Sequence, residues 1–280
     1  QVAQVQQEKE LIRQEKEVIQ QHATVLAEGV STLAEKSGEL TQEIRDNRPL
    51  SGNVIFSGFF SNRVDTEFTA RKTGLLGQAA ETKATRTVLV SSGDQIYAIY
   101  HAQDTLLNVT AGQASWDYLY GHMRRGFALI SLDTVTFLQS DPRIVLAPIS
   151  AEQAKDLGVN VYPLAGEPFK FSEAVLVGGS EGYYGEAPFQ LDAETPKYVR
   201  MQRERFSKLF GKFTPSRGDL VFSKTGEVLG IMVNNEFCLV LNDLAPAGQV
   251  TLGARIQDPK NAQILSNLGF QVSMLPPKVQ

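Results

Sequence analysis

The feature that most constrains the fold of this chain is a succession of short apolar runs that begins near Arg86. Each run is rich in β-branched and aromatic residues, and Gly, Asp or Ser turns separate many of them. Examples are TRTVLVS, DQIYAIY, TLLNVT, GFALISL, RIVLAPI, EAVLVGG and EVLGIMVN. Many short strands with turn signals between them favour a sandwich or barrels over alternating βαβ units. We therefore predict a mainly β fold for this part of the chain.

Two segments interrupt the strand pattern, and we predict that both are helical. The first covers residues 195–213, where apolar residues fall close to helical spacing among many cations. The second covers residues 258–270, where Asp258 is suited to the N-cap and Pro259 to the first helical position.

The N-terminal segment, residues 1–46, has a different texture from the rest. It has no proline, is rich in Gln, Glu and Lys, and carries an apolar residue at every seventh position from residue 5 to residue 40. These residues are Val5, Ile12, Ile19, Leu26, Leu33 and Leu40. Such a repeat indicates a long α-helix that self-associates as a coiled coil, and the alternative is a long helix packed on its own domain. Pro49 and Gly52 end it, so we divide the chain into a helical segment (1–46), a linker with the first strands (47–85) and a β domain (86–280).

Composition limits the classes of function. A net charge of −4 and a pI near 5.5 give no sign of nucleic-acid binding. The single cysteine, Cys238, excludes an intrachain disulfide, and the sequence indicates neither a metal site nor a cofactor. No apolar run reaches the roughly 18 residues needed to span a bilayer. Because the chain starts at Gln1 and not at Met, we expect that a signal peptide or an anchor preceded it.

Three stretches, in this order along the chain, resemble the trypsin-like serine peptidases. Residues 88–106 resemble the strand, turn and strand that deliver the family's histidine, here His101. The run PRIVLAPI is similar to its aspartate strand, and PSRGDLVF with the hairpin that follows is similar to its nucleophile hairpin. The resemblance spans roughly residues 88–270. It implies two six-stranded β-barrels with a catalytic cleft between them, and export to the periplasm, secretion or a membrane-anchored ectodomain.

The family's functional positions carry over only in part. His101 matches the catalytic histidine, but Arg143 stands where the family has aspartate, and Asp141 lies two residues earlier. Arg217 replaces the nucleophilic serine. Pro215 replaces the glycine whose N–H would serve as an oxyanion donor.

These replacements remove the chemistry that acyl transfer requires. A guanidinium stays protonated and cannot attack a carbonyl, and proline has no N–H to donate. We therefore expect a degenerate, catalytically inactive peptidase domain that binds a protein or peptide partner. The alternatives are an active serine endopeptidase that uses His101, Asp141 and Ser216, and a structural or assembly protein organised by its coiled coil.

A cluster of cations in residues 197–212 is a candidate docking surface for an acidic partner. Its members include Arg200, Arg203, Lys208 and Lys212, with Glu204 as the lone acid. The alternative is an ordinary solvated helix face.

The coiled-coil hypothesis predicts the mass of the protein in solution. We expect the full chain to self-associate through residues 5–40, and a chain without residues 1–46 to be a monomer. Light scattering coupled to size-exclusion chromatography measures both masses. An association state that does not change on truncation would contradict the hypothesis.

Overall fold

The computed structural model describes residues 48–74, 77–107, 109, 116–178, 183–202 and 214–280. The chain divides into two compact units between Pro49 and Leu50, and the architecture is described for the second unit. The predicted coiled coil in residues 1–46 lies outside the described residues. None of the helices in the described ranges is long and apolar enough to cross a membrane.

The second unit is mainly β, as the strand pattern predicts. Its strands are β1 (Val64–Gly74), β2 (Gly77–Thr87), β3 (Leu89–Ser92), β4 (Gln95–His101), β5 (Tyr118–Arg125), β6 (Ala128–Leu132), β7 (Thr134–Leu138), β8 (Ile144–Ile149), β9 (Val161–Pro163), β10 (Glu173–Val177), β11 (Tyr184–Leu191), β12 (Tyr198–Met201), β13 (Leu220–Ser223), β14 (Val228–Met232), β15 (Phe237–Val240) and β16 (Pro246–Thr251).

One of the two predicted barrels is present as a closed barrel. Its strand order is β10-β11-β12-β15-β14-β13, and every neighbouring pair is antiparallel. Gly230 of β14 lies so close to β15 that an added Cβ would meet the carbonyl oxygen of Leu239 at 2.2 Å. A side chain cannot fit there, so this glycine permits the close approach of the two strands.

The other predicted barrel is replaced by two sheets. A six-stranded sheet has the order β16-β7-β8-β4-β3-β9, and a four-stranded sheet has the order β2-β1-β5-β6. The chain passes from one sheet to the other between β6 and β7, where only Asp133 separates the strands. The two sheets share a core, in which Phe68 packs edge-on against Tyr100 with ring centroids 5.4 Å apart.

Three α-helices accompany the strands in the described residues: α1 (Gly52–Asn62), α2 (Ala151–Leu157) and α3 (Pro259–Ser273). The third confirms the predicted C-terminal helix, and the side chain of Asp258 caps it by accepting the N–H of Lys260. The first was not predicted, although Ile55 and Phe59 form a buried i, i+4 pair. Short 3₁₀ turns cover Ala102–Asp104, Ala254–Gln257 and Pro277–Val279.

Two local predictions are wrong in the described residues. A helix was predicted over residues 195–213, but Tyr198–Met201 form the strand β12. Residues 203–213 lie outside the described part. Tyr198 and Val199 are buried in different cores, one on each face of the strand. The strand therefore lacks the alternation of apolar and polar residues that marks a half-buried strand. The strand predicted over residues 105–110 starts as a turn, with Leu106 in the left-handed region at φ 63°.

A second core joins the barrel to the six-stranded sheet and fixes the position of the end of β4. Ile99 and Leu146 from the sheet pack with Phe222 and Ile231 from the barrel. All four are at most 2% exposed, and burying each contributes roughly 1.5–3 kcal/mol. His101, the last residue of β4, therefore lies where the sheet meets the barrel.

Candidate functional site

His101 is held rigidly at the end of β4. It pairs with Ile144 of β8, and the N–H of the next residue, Ala102, donates to the carbonyl oxygen of Arg143 at 2.7 Å. The 3₁₀ turn over Ala102–Asp104 begins immediately after it. The ring is buried, since the residue is only 2% exposed.

The hydrogen bonds of the ring select its protonation state. Nδ1 accepts the backbone N–H of Gln103 at 3.3 Å, so the neutral ring carries its proton on Nε2. Nε2 is buried and has no hydrogen-bond partner among the described residues. Burial, followed by the charges of Arg217 and Arg143, lowers the pKa of His101 to about 3, and Asp141 only partly opposes them. The ring is therefore neutral throughout the physiological pH range.

Asp141 is buried beside this histidine, but its carboxylate is bound to other groups. It accepts the backbone N–H of Arg143 and two guanidinium N–H groups of the same residue, at 3.0, 3.0 and 2.6 Å. The hydroxyl of Tyr198 donates to it at 3.1 Å. Although burial opposes it, the contact with Asp141 raises the pKa of Arg143. The third arm of the guanidinium donates to the carbonyl oxygen of Val279 at 2.5 Å.

The turn that leads into β13 carries the positions expected for a nucleophile. The N–H of Asp219 donates to the carbonyl oxygen of Ser216 at 3.1 Å, and Gly218 takes φ 88°. The carboxylate of Asp219 accepts the N–H of Ser216 at 2.7 Å. Ser216 is exposed, and its Oγ donates to the carbonyl oxygen of Thr214 at 3.4 Å. Pro215 is buried and Arg217 is exposed.

The structure brings His101 and Arg217 together with a residue that the sequence did not single out, Asp104. A Cβ added to Gly218 would lie 2.7 Å from Oδ2 of Asp104 and 3.7 Å from Cβ of His101. Only a glycine fits here, both because of this close approach and because of its positive φ. Burial raises the pKa of Asp104, and Arg217 and Lys83 counteract it. The only feature of the sequence that could have pointed to Asp104 is its position three residues after His101.

His101, Asp141 and Ser216 are close in the fold but are not hydrogen-bonded as a relay. Each makes a different bond: His101 with Gln103, Asp141 with Arg143 and Tyr198, and Ser216 with Thr214. A serine relay needs the nucleophile bonded to the base and the base bonded to the carboxylate. In this conformation the three side chains cannot pass a proton along such a relay.

Two cavities are lined by these residues and their neighbours. The larger, of about 400 Å³, is lined by Asp104 and the turn over residues 216–219, with Ala84, Thr85 and Arg86 of β2 and Asp65 of β1. The smaller, of about 320 Å³, is lined by His101, Gln103, Lys83, Arg143 and Trp116 with several apolar side chains. In the described part of the chain, no three His, Cys, Asp or Glu residues are grouped so that they could hold a metal ion.

Of the four cations named for the predicted docking surface, the structure describes Arg200. Arg200 lies on β12, and its Nε donates to the carboxylate of Glu236 at 2.5 Å. Arg203, Lys208 and Lys212 lie outside the described residues.

No family model and no curated protein matches this chain. Solved structures similar to it include proteases at low identity. An HtrA-type protease solved with a decapeptide is 12% identical, with a TM-score of 0.41, over 68% of this chain and 63% of that one. The match thus spans less than two thirds of the HtrA-type protease. A serine protease of a human pathogenic astrovirus is 11% identical, with a TM-score of 0.35, over 65% of this chain and 93% of that one. The serine protease domain of a Sesbania mosaic virus polyprotein is 11% identical, with a TM-score of 0.33, over 62% and 87%.

The buried neutral histidine predicts how stability depends on pH. Because the pKa of His101 is about 3 in the folded protein and 6.5 in its ordinary state, the unfolded chain binds a proton between these values and the folded one does not. The free energy of unfolding should therefore decrease as the pH falls from 6.5 towards 3. The contribution of His101 to the slope of the unfolding free energy against pH approaches about 1.4 kcal/mol per pH unit.

Urea unfolding of the wild-type protein and His101→Gln at pH 7 and pH 5 isolates this contribution. The variant lacks the group, so its stability should decrease less over the same interval. Equal decreases in the two proteins would show that His101 titrates normally in the fold.

Proposed function

We propose that this chain is a catalytically inactive domain of the trypsin-like serine peptidase type, and that it binds a protein or peptide partner. The observation that carries the proposal is the arginine at position 217, in the turn before β13 and electrostatically coupled to His101. A guanidinium remains protonated and has no lone pair to attack a carbonyl carbon. At the site where a serine peptidase needs a nucleophile, this chain has a cation.

The base that would activate a nucleophile also lacks its orienting partner. In a serine peptidase triad, a carboxylate accepts a hydrogen bond from Nδ1–H and stabilises the imidazolium that forms. Nδ1 of His101 accepts a backbone N–H instead, and the charge of Asp141 is neutralised by Arg143. Two nearby cations, Arg217 and Arg143, oppose protonation of the ring. The environment therefore disfavours the charged histidine that acyl transfer requires.

One oxyanion donor is also absent. Pro215 stands two residues before the nucleophile position, where the family has a glycine whose N–H serves as a donor, and proline has no N–H. Loss of a single oxyanion donor typically costs about 10²–10³ in rate. This loss comes in addition to the absent nucleophile, so the cleft is better suited to binding than to hydrolysis.

The competing function is hydrolysis by Ser216, which is exposed on the same turn as Arg217. For this to occur, the Oγ of Ser216 would have to leave the carbonyl of Thr214 and reach Nε2 of His101, which is buried. Asp141 would have to leave Arg143 as well.

A fluorophosphonate serine-hydrolase probe tests the proposal directly. We expect no labelling of the wild-type protein above that of Ser216→Ala, with an active trypsin as the positive control. Arg217→Ser should also stay unlabelled, because it restores a hydroxyl but neither the carboxylate partner of His101 nor the oxyanion donor that Pro215 lacks. Labelling of the wild-type protein that disappears in Ser216→Ala would refute the proposal and establish a nucleophile displaced by one residue.

A further inference from the structure

The larger cavity is lined by an anionic and a cationic side chain that are not paired with each other. Asp104 and Arg217 both line it, and Arg217 is close enough to lower the pKa of Asp104 against the effect of burial. Within the described residues no ion pair joins the two side chains. Gly218, with its positive φ and no side chain, leaves the carboxylate of Asp104 open to the cavity.

The other charged groups of the cavity are already engaged. Asp65 and Arg86 form an ion pair at 2.8 Å. The carboxylate of Asp219 accepts the N–H of Ser216 at 2.7 Å, and the residue is buried. Asp104 and Arg217 are therefore the groups that can change partners when a ligand enters.

The distribution of charge selects the kind of ligand. A carboxylate would be attracted by Arg217 but repelled by Asp104. An ammonium or guanidinium group would be attracted by Asp104 but repelled by Arg217. Like charges at short distance are penalised in a partly desolvated site, so a singly charged group is disfavoured with either sign. A neutral group with a donor and an acceptor side by side avoids both penalties.

The geometry points to a binding site for a primary carboxamide, which is the side chain of an Asn or Gln on a partner peptide. Its carbonyl oxygen accepts from the guanidinium of Arg217, and its NH₂ group donates to the carboxylate of Asp104. Both hydrogen bonds involve an ionised protein group, and such bonds are about twice as strong as neutral ones. A volume of about 400 Å³ accommodates one such side chain and its backbone. The inference rests on the proposed function, because it assigns Arg217 to binding.

The experiment uses the full chain, labelled with ¹⁵N, and three small probes that differ only in their end group. These are the N-acetyl methylamides of glutamine, glutamate and lysine. We expect the glutamine probe to shift the backbone amide resonance of Gly218 and to bind about tenfold more tightly than either charged probe.

Two variants give opposite changes in preference, which loss of structure cannot mimic. Asp104→Ala removes the acid and should make the glutamate probe the best ligand, because Arg217 remains. Arg217→Ala removes the cation and should make the lysine probe the best ligand, because Asp104 remains. Arg255→Ala, which removes an exposed cation from the 3₁₀ turn over Ala254–Gln257, is the matched control and should behave as the wild-type protein.

Similar affinities for the three probes, absence of shifts at Gly218, or an unchanged preference in both variants would overturn the inference. None of these results would affect the proposal of an inactive site, which is decided by fluorophosphonate labelling. Conversely, labelling of Ser216 would refute the proposed function whether or not a carboxamide binds.

Discussion

The site depends on the buried pair of Asp141 and Arg143. The carboxylate is fully buried, and burial of an unpaired charge costs several kcal/mol, so each residue requires the other. The pair also joins three parts of the fold: Asp141 and Arg143 precede β8, Tyr198 belongs to β12 of the barrel, and Val279 follows α3. Removing either partner alone would cost on the order of 3–5 kcal/mol.

This pair determines what His101 can do. With Asp141 neutralised by Arg143, no carboxylate among the described residues bonds to Nδ1, and the ring accepts an N–H from its own 3₁₀ turn. The positive charge of Arg217 also lowers the pKa of the ring. A histidine in these surroundings holds its proton on Nε2 and does not gain a second proton at neutral pH. Under the proposed function, Arg217 replaces the nucleophile and, together with Asp104, contacts the ligand, so the loss of hydrolysis and the gain of a binding site would have a common origin.

Sequence patterns predicted much of the fold and less of the site. Alternating and continuous apolar runs predicted the β architecture, and Asp258 with Pro259 predicted the start of α3, because these signals are local. The β12 strand was missed because Tyr198 and Val199 are buried on both faces, which removes the alternation. The single closed barrel and the two open sheets depend on strand order, which local patterns do not determine.

The functional site, too, could be predicted only where the signals are local in the sequence. Motif order in the sequence pointed to Arg217, Pro215 and Arg143, and the structure places Arg143 beside Asp141 and Arg217 in the turn before β13. Asp104, Tyr198 and Val279 could not be identified in this way, because Tyr198 and Val279 are distant along the chain from the groups that they contact. Asp104 is near His101 in sequence, but its partner Gly218 is not.

The most direct test of whether Asp141 is unavailable to His101 is long-range ¹H–¹⁵N NMR of the His101 ring between pH 7 and pH 5. A neutral ring with its proton on Nε2 across this range is the predicted result. A proton on Nδ1 shared with a carboxylate, or a charged ring at pH 5, would contradict the claim that Asp141 is unavailable to this histidine.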